Sequence, residues 1–281
     1  MLLSVIGRPG AERALYARLL SARLRCEVLS VSKAAAMEAA AGTHLGSKLR
    51  EAAAAIETGG SKQALLPSNL VAPIVSERLQ RALLIPNSRP DKVNLVLSGF
   101  PRSADQLQML QMAGARAGVP ATPKVIHLVL GRDEAERRLA IRRVCTSCGE
   151  AMYPMPPKEQ QKAKAAAASL PGGAEASAKA GAASANLYTH LVERASECDA
   201  PRPVRAQADE AEFAALRLDA YDRHTLPLLD ALRARGAEVI DVPVLESAEE
   251  TWTAVELALG LEPLDGPDGG VAAAAATSDA S

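Results

Sequence analysis

Met1-Leu2-Leu3-Ser4-Val5-Ile6 runs directly into Gly7-Arg8-Pro9-Gly10-Ala11-Glu12-Arg13-Ala14-Leu15. The first six residues read as a buried strand, and the stretch after them has the outline of a phosphate-binding loop that opens a helix. In a loop of the pattern G-x-x-x-x-G-K-[ST], backbone N–H groups cradle phosphates, the lysine reaches the β/γ oxygens and the hydroxyl holds Mg²⁺. Gly7 keeps its place here. Glu12 stands at the second glycine, Arg13 at the lysine and Ala14 at the hydroxyl position. The outline of the loop is kept while its chemistry is altered.

Working outward, strand and helix patterns alternate. Apolar runs Leu2–Ile6, Val93–Leu97, Val125–Leu130 and Val239–Val242 read as buried parallel strands, with Cys26–Leu29 as a shorter fifth. Amphipathic stretches at 11–24, 68–84, 103–117 and 207–234 read as helices between them. That rhythm predicts an α/β, P-loop NTPase-like fold: a doubly wound, five-stranded parallel sheet with helices on both faces. Two segments break it. Residues 154–195 are rich in Ala, Lys, Gly and Ser without periodicity and read as an insertion; residues 263–281, mostly Gly, Ala, Asp and Ser, read as a disordered tail.

The composition bounds the function. With 48% hydrophobic but only 2% aromatic residues, the core has to be aliphatic and Ala-rich. A net charge of -1 predicts no broad attraction to nucleic acid or anionic membrane. No apolar run approaches the roughly 20 residues that span a bilayer. The opening residues already read as a strand, so no signal peptide is expected, and the predicted location is the cytoplasm or another intracellular compartment.

Further stretches bring a family into view. Ala41-Gly42-Thr43-x-Leu45-Gly46, Leu66-Pro67-Ser68-Asn69-Leu70-Val71 through Glu77-Arg78-Leu79, and Ser98-Gly99-Phe100-Pro101-Arg102 with Gln106 follow the loop in order. Arg142-Arg143-Val144-Cys145-x-x-Cys148-Gly149 comes next, and then Arg217-Leu218-x-x-Tyr221 with Thr225-x-Pro227-Leu228. Taken together from Met1 to about Leu261, the chain resembles the adenylate kinase family of nucleoside-monophosphate kinases. The resemblance implies a core at 1–142 and 206–262 carrying AMP-side helices at about 31–84, and a LID-like segment at 143–205. It also implies the reaction ATP + AMP ⇌ 2 ADP, in which positioning and cationic groups do most of the catalysis.

Mapped residue by residue, the resemblance assigns nucleotide binding to Gly7, Pro9, Gly10, Arg102, Gln106 and Arg138, with Arg102 on the AMP phosphate and Gln106 on adenine. Arg13 and Arg143 are the candidate catalytic cations; Arg138 and Arg143 read equally well as a solvated basic helix face. Much is missing. Val31, Lys33 and Ala36 stand where the family has a threonine, an aspartate and a phosphate-binding arginine, and Ser98 replaces the aspartate that organises Mg²⁺. In the register anchored on Arg217, the two catalytic arginines beyond the LID fall on Ala206 and Ala215, with Arg205 one residue from the first. Glu12 is expected to repel phosphate, and loss of the glycine there to deny the loop a left-handed turn.

Cys145, Cys148 and Cys198 fit part of the family's zinc-type LID, but Pro201 breaks the second pair, so either Asp199 or His190 completes a Zn²⁺ site or the knuckle is a relic. The four histidines show no spacing for nucleophilic catalysis. The reading that follows is an adenylate-kinase-like protein of weak or absent activity, holding ATP with Mg²⁺ and AMP poorly and retained as a component of a larger protein assembly. The alternative is an active nucleoside-monophosphate kinase using Arg13, Arg102, Arg138 and Arg143.

Overall fold

The computed structural model describes residues 2–57, 65–83, 95–116, 122–146, 151–154, 188–190 and 203–262. In chain order the elements are β1 (Leu2–Gly7), α1 (Arg13–Leu24), β2 (Glu27–Ser30), α2 (Val31–Ala40), α3 (His44–Glu57), α4 (Ser68–Leu83), β3 (Leu95–Ser98) and α5 (Ala104–Arg116). Then come β4 (Lys124–Val129), α6 (Arg132–Ile141), β5 (Arg143–Cys145), β6 (Ala151–Pro154), β7 (Tyr188–His190) and β8 (Pro203–Val204). The chain continues through a 3₁₀ turn (Gln207–Asp209), α7 (Ala211–Ala220), a π turn (Tyr221–Thr225), α8 (Leu226–Ala234), β9 (Val239–Pro243) and α9 (Ala248–Ala258).

The expected five-stranded parallel sheet is present, in the order β2-β3-β1-β4-β9. Its inner strands β3, β1 and β4 are buried on both faces, which is why they read as mostly apolar runs rather than alternating ones. Leu3, Val5, Ile126 and Leu128 face a layer built from Leu15, Leu19 and Leu20 of α1, Leu218 of α7 and Trp252 of α9. Leu2, Leu95 and Leu97 face the opposite layer, with Val75 and Leu79 of α4 and Leu110 of α5. Leu3, Val5, Leu20, Val96 and Ile126 are fully buried, so truncating any of them to Ala is a cavity mutation costing about 2–5 kcal/mol.

Three readings shift. The short second strand begins at Glu27 because Arg25 ends α1 in a left-handed conformation, φ 51°, leaving Cys26 in the turn. The helical stretch predicted over 207–234 is split in four. Pro227 near the start of α8 has no N–H to continue the ladder, and the turn before it widens to a π turn. Within the segment read as a featureless insertion, Tyr188–His190 pairs with Ala151–Pro154 in a second, antiparallel sheet ordered β7-β6-β5-β8. The tail from 263 lies outside the described residues.

One buried polar chain ties the sheet to the π turn. His127 of β4 and Asp241 of β9 are cross-strand partners, and the His127 Nδ1–Asp241 Oδ1 distance is 2.6 Å. His127 Nε2 lies 2.7 Å from the Tyr221 hydroxyl. Burial lowers the His127 pKa below its usual 6.5, although Asp241 pulls the other way. With the folded pKa below the unfolded one, the unfolded chain holds more protons in the window beneath 6.5, so stability falls as pH drops through it. Urea midpoints of the wild type should therefore fall between pH 7 and pH 5 more steeply than those of His127→Gln; equal slopes would show that this histidine is not the group responsible.

Candidate active site

The phosphate-type loop is positioned by β1 and by close approach of β4. A Cβ on Gly7 would lie 2.9 Å from the Leu128 Cβ and 3.1 Å from its carbonyl oxygen, so only glycine fits where the strand turns. Gly10 follows with φ 90°, and Glu12 itself adopts φ 50°, ψ 42° as the residue before α1. The expectation that losing the second glycine denies a left-handed turn is thus overturned. Glu12 takes that conformation at a cost of about 1–2 kcal/mol, which the surrounding contacts must offset.

Those contacts are specific. Glu12 Oε1 accepts from Arg142 Nε at 2.7 Å and from the Tyr153 hydroxyl at 2.7 Å. Arg142 Nη1 donates to Asp209 Oδ2 at 2.7 Å, and Asp209, only 1% exposed, also pairs with Arg217 at 3.1 Å. One carboxylate therefore joins the loop to the end of α6 and to β6 of the second sheet, while Arg142 extends the link to the 3₁₀ turn. Burial alone would lower the Arg142 pKa, but the carboxylates of Glu12 and Asp209 outweigh it and raise it. Burial and the adjoining Glu12 push the Tyr153 phenol up, so it remains a donor at neutral pH. Glu12 is thus an acid already neutralised by the protein, where the sequence suggested an unpaired repulsive charge.

Beside this lock lies a cavity of about 310 Å³, lined in part by Gly7, Pro9, Arg13, Arg102, Arg217, Tyr221 and Thr225. Arg13 Nη1 donates to the Gly7 carbonyl at 2.7 Å and Arg102 Nε to the Gly99 carbonyl at 2.6 Å. Gly99 adopts φ 63°, a conformation that favours glycine. A Cβ there would stand 2.9 Å from Arg13 Nε and 3.3 Å from Arg102 Nη2, which also shows how closely the two cations converge. Among the described residues no carboxylate lines the cavity. Burial first, then the charges of Arg102 and Arg217, lowers Arg13 to about 9; burial and Arg217 lower Arg102 to about 10. Both stay protonated at neutral pH, held close together against their mutual repulsion. Such a site favours an anion able to accept several N–H bonds at once, and a phosphate group is suited to that.

The predicted residues sort unevenly around this cavity. Gly7, Pro9, Arg13 and Arg102 meet in it, and Gly10 shapes the turn beside it. Gln106 is buried with its Oε1 accepting from the Arg102 backbone N–H at 2.8 Å, so it buttresses the Gly99–Arg102 turn. Arg138 donates to Glu134 at 2.7 Å and to the Leu245 carbonyl at 2.8 Å, and Arg143 Nη1 donates to the Arg142 carbonyl at 2.8 Å; neither lines the cavity. Arg205 is engaged with the carbonyls of Ala140 and Asp209, away from the cavity, and Lys33 is exposed.

Two functional candidates escaped the sequence. Arg217, a frame position of the resemblance two residues from Ala215, lines the cavity. Arg142 lies four residues from Arg138, and that spacing is the signal in the sequence that points to it. Among the described residues no group of three or more His, Cys, Asp or Glu could hold a metal. The buried Cys145 is described, but Cys148 and Cys198 lie outside the described residues. For Mg²⁺ the donors present do not fit, since among the described residues no acid lines the cavity and Ser98 offers only a hydroxyl.

A parallel sheet ordered β2-β3-β1-β4-β9, with a glycine-started turn between β1 and α1, defines a P-loop NTPase-like α/β protein. No family model matches the chain. Curated relatives do. An adenylate kinase of Archaeoglobus fulgidus is 28% identical over 265 residues, covering 92% of this chain and 98% of that protein. An adenylate kinase of Caldicellulosiruptor saccharolyticus is 26% identical over 93% of this chain and 100% of its own length. That of Methanocella arvoryzae is 25% identical over 91% and 96%. The chain is a distant relative of the adenylate kinases and is a nucleoside-monophosphate-kinase-like protein.

The lock yields a stability prediction. Removing Arg142 leaves Glu12 and Asp209 as buried acids lacking their shared partner, a loss worth about 3–5 kcal/mol. Arg142→Leu should lower the urea unfolding free energy by that order, while Glu12→Gln, which keeps a hydrogen-bond acceptor, should cost about 1 kcal/mol. Equal effects of the two would show that the charge on Glu12 matters as much as the arginine. The arginine cluster predicts the opposite sign. Arg13→Gln relieves like-charge repulsion and should raise the melting temperature in anion-free buffer while abolishing the rise that inorganic phosphate gives the wild type.

Proposed function

We propose that this chain binds the phosphate group of a monophosphate ester between Arg13, Arg102 and Arg217, and that it is a kinase-family protein of weak or absent phosphoryl transfer. The observation carrying the reading is that Arg142, a cation at the mouth of the phosphate-type loop, is already held by two carboxylates, Glu12 and Asp209. A triphosphate that recruits Arg142 must displace Glu12 and leave it unpaired beside its own phosphates. At 4 Å and an effective dielectric of 20 that repulsion is about 4 kcal/mol, close to a thousandfold in affinity. Ala14 adds no hydroxyl for a metal, and no carboxylate compensates.

A second reading keeps some support. Arg13 and Arg102 of the expected active set do converge, and Arg217 joins them in place of Arg138 and Arg143. Three cations around one bound phosphate suit a slow phosphoryl transferase as well as a binding protein.

Calorimetric titration with ATP, with and without Mg²⁺, on wild type and Glu12→Gly separates the two. The expected result is millimolar or weaker ATP binding by wild type, at least tenfold tighter binding by Glu12→Gly, and no ADP formed from ATP and AMP by wild type. Micromolar, Mg²⁺-dependent binding by the wild type with steady ADP production would overturn the proposal in favour of the slow kinase.

A further inference from the structure

The arginine cavity does not end at Arg217. Ser32, Ala208 and Arg217 also border a second cavity of about 290 Å³, which opens between α2 and α3 on one side and α7 on the other. Its walls are hydrocarbon. Ala35, Ala36 and Ala39 come from α2, Leu49, Ala53 and Ile56 from α3, and Phe213 and Leu216 from α7, closed at one end by Leu66. Among the described residues the polar lining is Ser32, Gln207 and Arg217.

From this juxtaposition we infer that the ligand is an amphiphile: a phosphate monoester whose organic group is an aliphatic chain rather than a nucleoside. The inference rests on the phosphate site proposed above and assigns what the phosphate carries. A purine presents ring nitrogens and an exocyclic group that lose their water bonds on burial, and burying such groups without partners costs about 1–3 kcal/mol each. Besides Arg217, shared with the arginine cavity, the described polar lining is Ser32 and Gln207, both exposed, and the Gln106 Oε1 is engaged with the Arg102 backbone N–H. A hydrocarbon chain meets no such penalty there. Each methylene it buries strengthens binding about fourfold, so four of them give on the order of a hundredfold.

The charge arrangement supports the same ligand. Arg13 and Arg102 are half-buried, protonated and, among the described residues, without a carboxylate partner, so an anionic head is favoured at the inner end. Arg217 stands at the junction of the two cavities, where the ester linkage would pass. The alanines matter in a direct way: Ala36 and Ala53 leave open the volume that longer side chains on α2 and α3 would fill.

The test is calorimetric titration of the full chain with inorganic phosphate, octyl phosphate, octanol and AMP, on wild type and on Ala53→Phe, which fills the apolar cavity. The expected order for wild type places octyl phosphate at least about a hundredfold tighter than inorganic phosphate and tighter than AMP, with octanol weak. Ala53→Phe should lose the gain from the octyl chain and keep its affinity for inorganic phosphate, which also reports that the variant is folded. AMP binding as tightly as octyl phosphate, octanol binding as tightly, or an unchanged octyl phosphate affinity in Ala53→Phe overturns the inference and leaves the phosphate site standing. If neither inorganic phosphate nor any phosphate ester binds the wild type, the phosphate site falls as well, and this inference with it.

Discussion

Arg142 holds one position that four parts of the chain share. It closes α6, faces the carboxylate of Glu12 at the phosphate-type loop, and reaches Asp209 in the turn before α7, while Tyr153 of the second sheet completes the shell of Glu12. A charge so enclosed is stable only because both acids face it together; each would otherwise be a buried anion. The strained, left-handed Glu12 is tolerable for the same reason, since its backbone cost is small beside the loss of that pairing. Arg8 repeats the device nearby. It donates to the Leu130 carbonyl, pairs with Asp222 and lies over the Tyr221 ring at 5.0 Å, which fixes the loop against the π turn. The loop is therefore held in shape from outside, by ion pairs, with no bound phosphate required.

The second consequence concerns where positive charge is left over. Every cation of the lock has its acid, so the lock contributes little net field to the neighbouring cavity. Arg13, Arg102 and Arg217 are different. Among the described residues only Arg217 of the three has a carboxylate partner, and it shares that acid with Arg142. The fold brings Arg13 from the start of α1 and Arg102 from the turn after β3 to one point beside Gly99, at the carboxyl ends of adjacent parallel strands. Open α/β sheets bind their ligands at that edge. A protein selected for stability alone would gain from replacing one of these arginines, and their retention in this geometry is the kind of local cost that functional sites carry.

The sheet was legible because burial writes itself into sequence as mostly apolar runs, and Leu2–Ile6, Val125–Leu130 and Val239–Val242, each broken by a single polar residue, needed no partner to be recognised. The glycine-started turn and the Gly99–Arg102 turn were legible because their residue types follow from backbone sterics. The lock was not. Glu12 and Arg142 lie 130 residues apart, and Glu12 and Tyr153 lie 141 apart, so nothing local announced that the acid had a partner. Arg217 was hidden for a different reason. Counting positions along a helix gives which residues share a face, but whether an arginine reaches a cavity depends on the elements it crosses, here the 3₁₀ turn and Asp209. Gln106 shows a further limit, since a residue type suited to reading a base is equally suited to holding a backbone N–H, as its Oε1 does here.

These features share one physical logic. The apolar layers that set the strand order tolerate change only within narrow volume limits. Charged groups at the sheet's edge are under no such packing limit. They can be exchanged as long as each buried charge finds an opposite one, and Glu12 with Arg142 is such an exchange: an internal carboxylate now occupies a cation near a loop whose outline suits an external anion. The same freedom acts on α2 and α3, where small side chains leave apolar volume beside the remaining cations. Fold and ligand chemistry are thus separable in this chain, because one is fixed by volume and the other by the pairing of charge.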